Sequence, residues 1–100
     1  TLMRKYGVDL AGLERISLAG GFGNYVHLES AMAIGVLPGA KEKLVKIGNG
    51  ALTGARQMLL SRERREDAER IAPQVEHVKL AEEEDFLDRY VQELYLRGWP

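Results

Sequence analysis

The segment Arg15-Ile16-Ser17-Leu18-Ala19-Gly20-Gly21-Phe22-Gly23-Asn24 restricts this chain more than any other. Ile16, Leu18 and Ala19 suit a short buried strand, and Gly20, Gly21 and Gly23 follow at once. Glycine removes the side chain where backbone must turn sharply or be approached closely, so the strand is expected to end in a bare turn. Residues 27–34, starting at His27, have helical composition. That places the N–H groups of a helix start near the turn, where an anion is favoured. The same glycines also suit a tight strand-to-helix connection that binds nothing, and spacing alone leaves both readings open.

The pattern returns further on. Leu44-Val45-Lys46-Ile47 reads as a second strand, Gly48-Asn49-Gly50 closes it, and residues 51–60 continue as a helix. Gly50, Ala51, Gly54 and Ala55 leave one side of that helix nearly bare. An interior glycine such as Gly54 costs about 1 kcal/mol and is expected where another backbone comes close. Open α/β sheets place their ligands at the carboxyl ends of strands, where both glycine turns lie. A nucleotide needs bare backbone, outward N–H groups and a side chain such as Asn24 or Asn49 to bond ribose or phosphate. The candidate binding residues are therefore Gly20, Gly21, Phe22, Gly23 and Asn24 in the first turn and Gly48, Asn49 and Gly50 in the second.

Around these units the chain is strongly punctuated. Thr1-Leu2-Met3-Arg4-Lys5-Tyr6 reads as the end of a helix stopped by Gly7; because a domain rarely starts mid-helix, the chain is expected to be a fragment or excised domain. Asp9 suits a cap on a short turn over residues 10–13. The helix over residues 29–34 is expected to end at Gly35 before the turn Val36-Leu37-Pro38-Gly39, with a solvated loop over residues 41–43. Residues 61–72 carry charges of both signs, with Glu66 and Arg70 spaced to pair on an exposed helix, and Pro73 breaks it. Val75-Glu76-His77-Val78-Lys79-Leu80 alternates like a half-buried strand at a sheet edge. A last helix over residues 82–96 aligns Phe86, Leu87, Tyr90, Val91, Leu94 and Tyr95 as a stripe. That stripe is expected in the core or at an interdomain surface, with a groove on a partner as the alternative.

With 100 residues the chain is one domain at most, able to bury a single modest core. Hydrophobic residues make up 45% and charged residues 29%, a globular composition. Fourteen basic against fifteen acidic residues provide no field that would draw the chain to nucleic acid or an anionic membrane. No apolar run reaches bilayer length and no signal peptide opens the chain, so a soluble, cytoplasmic protein is expected. Without cysteine there is no disulfide, thiolate metal site or iron–sulfur ligand within these residues. His27 and His77 lie far apart, no Gly-x-Ser-x-Gly appears, and no Walker lysine follows the glycines. No catalytic or metal-ligating residue is assigned.

Leu18-Ala19-Gly20-Gly21-Phe22-Gly23-Asn24-Tyr25-Val26, Glu29-Ser30-Ala31, Ile34-Gly35-Val36-Leu37-Pro38 and Gly48-Asn49-Gly50-Ala51-Leu52-Thr53-Gly54-Ala55-Arg56, then Glu76-His77-Val78, follow in one order. This string resembles the carboxyl-terminal domain of the reductive activators of corrinoid proteins and covers almost the whole chain. The resemblance implies an actin-like, ribonuclease H-like lobe of the acetate kinase, sugar kinase, heat-shock chaperone and actin (ASKHA) superfamily. Two to three strands would be covered by four to five helices. It further implies a longer protein with a [2Fe–2S] ferredoxin-like domain, driven by ATP with Mg, that returns a cobalt(II) corrinoid protein to cobalt(I). The implied partner is a corrinoid protein or methyltransferase. By position, Gly20, Gly21, Phe22 and Gly23 would form the adenosine wall of the cleft, and residues 48–55 a strand end and helix that more often pack than bind.

The chain departs from that pattern at His27-Leu28, where the family commonly has Asp-Pro. Loss of the carboxylate cap is expected to weaken the helix start by about 1 kcal/mol. The phosphate-binding segments with their metal-coordinating aspartates and the iron–sulfur domain have no counterpart in these residues. The alternative reading is a non-catalytic interaction or dimerisation module of a multidomain 2Fe-2S protein, docking through residues 86–95. A lobe with its apolar surface uncovered could also form a homodimer.

Overall fold

The computed structural model describes residues 1–99. Two parallel strands, β1 (Ile16–Ala19) and β2 (Leu44–Gly48), form the sheet. Between them run the helices α2 (Gly20–Tyr25) and α3 (Leu28–Ala33), so the first half is one strand–helix–strand crossover. Helix α1 (Leu2–Lys5) precedes it, and α4 (Gly50–Leu60), α5 (Arg62–Ile71) and α6 (Phe86–Glu93) follow. The architecture is α/β as expected. The strand count takes the lower of the expected values, and the helices among the described residues number six because Gly20–Tyr25 is already helical.

Local chemistry explains most boundaries. Gly7, at φ +65°, ends α1, and Asp9 accepts the Gly12 N–H at 2.8 Å to close the following turn. At the end of α3, Gly35 adopts φ +83° while its N–H bonds Met32 O and that of Val36 bonds Ala31 O, a left-handed cap that satisfies terminal carbonyls. The start of α3 departs from expectation. His27 takes the cap position, and its Nδ1 accepts from the Ser30 N–H at 3.3 Å, with Ser30 Oγ at 3.0 Å. The imidazole Nδ1 thus takes the place of the missing aspartate carboxylate.

Four readings of the sequence need correction. Residues 75–79 form no strand, and a single 3₁₀ turn, Leu80–Glu82, follows them. Alternation makes a strand only where a ladder partner exists; here side chains dock the segment instead. Tyr6 Oη donates to Glu76 at 2.8 Å and Lys5 Nζ to Glu83 at 2.7 Å. These bonds raise the pKa of Tyr6 and of Lys5 above their ordinary values. The last helix runs over Phe86–Glu93 rather than residues 82–96, since Leu80–Glu82 is taken by the 3₁₀ turn; Asp85, just ahead of it, pairs with Arg89 one turn on and with Arg4 of α1 at 3.2 Å. Burial opposes ionisation of Asp85, yet Arg89 and Arg4 outweigh it and hold the carboxyl below its usual range. Arg70 bonds Asp67 at 2.6 Å, not Glu66, since the shorter i,i+3 reach to Asp67 is shared with Arg64. Residues 41–43 form a 3₁₀ turn, anchored where Lys43 Nζ donates to Leu10 O and Ala11 O at 2.8 and 3.1 Å.

The expected core is smaller than its composition promised. Ala31, Leu37 and Ala40 are the buried apolar residues, and no large side chain among the described residues is fully buried. The radius of gyration, 16.3 Å, exceeds the about 13 Å of a compact chain this long. Phe86 and Tyr90 stack at 6.2 Å, but Leu87, Tyr90, Val91, Leu94 and Tyr95 are each more than half exposed. The α6 stripe is therefore not core within this chain.

Gly54 also departs from expectation, because a Cβ built there meets nothing within 4 Å. No backbone crowds it, so the cost of an interior glycine is uncompensated in these residues. Gly54→Ala is expected to stabilise the fold by about 1 kcal/mol, read as a rise in thermal midpoint by circular dichroism. A fall in midpoint instead would mean that another backbone does cover this face.

Candidate functional site

Parallel pairing puts both strand ends on the same edge of the sheet. Ile16 pairs with Leu44, Ser17 with Val45 and Leu18 with Lys46; after an irregularity Ala19 pairs with Gly48. The two glycine turns, remote in sequence, thereby become neighbours. A Cβ at Gly50 would stand 3.6 Å from the Ala19 Cβ and 3.7 Å from Ile47 Cδ1, ordinary contact distances. All eight predicted residues, Gly20 to Asn24 and Gly48 to Gly50, lie on the elements that meet along this edge.

Each glycine has a different reason to be there. Gly20 sits at φ +85°, which lets the chain leave an extended Ala19 and enter α2 without a connecting loop. Gly48 makes the equivalent turn at φ +68°. Gly23 is buried, and a Cβ on it would lie 3.1 Å from both the carbonyl carbon and the Cβ of Leu18. Its absence of side chain is what seats α2 against β1. Gly21 is unlike these: a Cβ there meets nothing within 4 Å, and the residue is exposed. Nothing in the fold demands glycine at that position.

The polar and aromatic residues are equally distinct. Phe22 is 72% exposed, a large ring left on the open side of α2. Asn24 is exposed two residues further along. Asn49 is partly committed, because its Oδ1 accepts the Leu52 N–H at 3.0 Å as the cap of α4, and its backbone carbonyl accepts from Thr53 Oγ at 3.2 Å. Only its side-chain N–H groups remain to donate to a ligand. Gly20 to Asn24 were expected as a loop ahead of the helix; they are themselves helical, so the free N–H groups of a helix start lie at the strand end rather than at His27.

One residue of this neighbourhood escaped the sequence reading. Lys46 Nζ donates to Val26 O at 2.8 Å and Asn24 O at 3.2 Å, tying the end of α2 to β2. The available signal was a lone lysine inside the apolar run Leu44-Val45-Lys46-Ile47, where a charge needs a partner. His27 and His77 take no part in the edge: the first caps α3, and the second lies in the segment beside α1. Among the described residues no group of three or more histidine and carboxylate side chains is arranged to hold a metal ion, and no helix is long and apolar enough to cross a membrane.

Residues 1–99 match the sequence model of the C-terminal domain of RACo, its ASKHA domain. The corrinoid activation enzyme RamQ of Eubacterium limosum is 40% identical over 91 residues, which cover 90% of this chain and 15% of RamQ. The Co(II) methylated amine-specific corrinoid protein reductase of Methanosarcina barkeri is 34% identical over 104 residues, covering 100% of this chain and 19% of that protein. The chain thus spans under a fifth of the length of these curated relatives. A match that runs from the first residue to the ninety-ninth, through both glycine turns, leaves one assignment: the chain belongs to the family of the C-terminal ASKHA domain of RACo.

Proposed function

We propose that the chain supplies the adenosine-side wall of an ATP cleft in a reductive activator of corrinoid proteins. The observation that carries the reading is the meeting of two glycine turns at the carboxyl ends of paired parallel strands, the place where open α/β sheets bind nucleotides. The names of RamQ and of the Co(II) corrinoid protein reductase support corrinoid activation with a corrinoid protein as the partner; on this reading the cobalt(II) form is returned to cobalt(I). ATP would supply the driving force for that uphill electron transfer.

The residues present fit the adenosine end of the nucleotide. Gly20 and Gly21 offer bare backbone, the exposed Phe22 ring offers a flat apolar surface, and Asn24 offers donors and an acceptor. The candidate residues themselves, glycines, a phenylalanine and two asparagines, include no carboxylate to hold Mg at its phosphate end. Nor can the chain hold a [2Fe–2S] cluster, having no cysteine. Both belong, on this reading, to other parts of a longer protein.

Gly21→Ala tests the reading cleanly because the fold leaves room for the methyl group. Stability is expected to hold or rise slightly, while Mg·ATP affinity and ATPase of the full-length protein fall about tenfold, as befits a group that meets a ligand at contact distance. Unchanged affinity would sink the proposal. A second reading, an interaction or dimerisation module, is favoured by the exposed Leu87, Tyr90, Val91, Leu94 and Tyr95 of α6. The same variant separates the two, since that reading leaves nucleotide affinity untouched.

A further inference from the structure

Helix α2 cannot hold itself in place. It has six residues, three of them glycine, which is too short and too poor in helix formers to persist by its own hydrogen bonds. It rests on both strands, and two of the contacts that fix its ends come from a single cross-strand pair, Leu18 and Lys46. Leu18 receives the bare face of Gly23, with 3.1 Å left for a Cβ. Lys46 takes the other end: its ammonium donates to Asn24 O at 3.2 Å and Val26 O at 2.8 Å. Terminal carbonyls lack partners within a helix, and a cation beside them also suits the helix dipole.

We infer that Lys46 is the positioning residue of the nucleotide wall: by pinning the carboxyl end of α2 to β2 it sets where Phe22 and Asn24 stand relative to Gly48, Asn49 and Gly50. The inference rests on the adenosine-wall reading. Phe22 and Asn24 are exposed and have nothing else to hold them, so without the pin a ligand must order α2 as it binds and loses affinity accordingly. Lys43 provides an internal comparison. Its ammonium clamps Leu10 O and Ala11 O in the same manner, but on a turn away from the edge.

The test compares Lys46→Met, Lys46→Arg and Lys43→Met in the full-length protein, by hydrogen–deuterium exchange of peptides covering residues 18–27 and by Mg·ATP titration calorimetry. Lys46→Met keeps the length of the side chain and removes the donors. It is expected to speed exchange over residues 20–26 and weaken Mg·ATP binding, each by about five- to tenfold, the range for the net contribution of a hydrogen bond at an exposed site. Lys46→Arg, which can still donate to both carbonyls, is expected to restore both readouts, and Lys43→Met to leave both at the wild-type value. Wild-type exchange in Lys46→Met, or faster exchange with unchanged affinity, overturns the inference. Wild-type protein that binds no Mg·ATP overturns the adenosine wall itself, a failure distinct from the first two.

Discussion

Gly35→Ala is expected to release the C-terminal tail and lower stability by about 2–3 kcal/mol, with the emission of Trp99 moving to the red. Two independent effects add. At φ +83° an alanine pays about 1–2 kcal/mol for a left-handed backbone. Its Cβ would also fall 2.1 Å from the carbonyl oxygen of Arg97, a backbone atom that cannot rotate away. The cheapest relief is for residues 96–99 to lift off α3. That movement breaks the 2.9 Å bond from Trp99 Nε1 to Gly35 O, worth about a further 1 kcal/mol. Trp99 is the single tryptophan of the chain, so fluorescence during urea unfolding reads the tail and the fold in one experiment. Gly39→Ala is the control, since Gly39 lies outside the left-handed region and a Cβ there meets nothing within 4 Å. An emission spectrum of Gly35→Ala that matches wild type would show that the tail does not lie where the structure puts it.

Gly23→Ala should act on the site as Gly35→Ala acts on the tail. A methyl group at Gly23 presses on the Leu18 carbonyl carbon and Cβ at 3.1 Å, and both belong to strand β1. The strand is tied to β2 on one side, so α2 must give way. A cost of about 1–3 kcal/mol follows from overpacking, partly offset by the better helix propensity of alanine. Mg·ATP affinity should fall with it, because the displaced helix carries Phe22 and Asn24. The contrast with Gly21→Ala is the informative result: one substitution moves stability and binding together, the other binding alone. Denaturant unfolding paired with calorimetry checks it, and equal stability losses for the two variants would contradict the packing described for Gly23.

What was legible in the sequence was whatever is decided locally. Gly7, Gly20, Gly35 and Gly48 all lie at positive φ, and each marks the end of an element that composition had already bracketed. The placement of the eight candidate residues at strand ends was legible for the same reason, since they make up two turn signals. Asn49 reads only as a turn residue with a side chain for a ligand, and its role as the cap of α4 went unread although asparagine ahead of a helix is a local signal. What else stayed hidden depends on partners remote in sequence. Residues 75–80 alternate as a strand should, but the bonds that claim them come from Lys5 and Tyr6, 78 and 70 positions away from Glu83 and Glu76. Asp85 reads as an acidic first-turn residue, yet its carboxylate is taken by Arg4, remote in sequence, together with Arg89. Lys46 gave a sign of needing a partner without a sign of which one, because backbone carbonyls leave no trace in side-chain identity. The Leu87 to Tyr95 stripe has the period of a buried face, and periodicity carries no information on which surface covers it.

The parallel pairing of β1 with β2 has a kinetic meaning as well as a geometric one. Parallel strands cannot meet through a tight hairpin; Ala19 reaches Gly48 only after residues 20–43 have closed as one loop. The same event that forms the sheet therefore brings the two glycine turns together, and neither turn has its neighbour in any earlier species. Substitutions that slow this closure should delay the whole edge at once, so the site is assembled in a single step of folding rather than completed piece by piece.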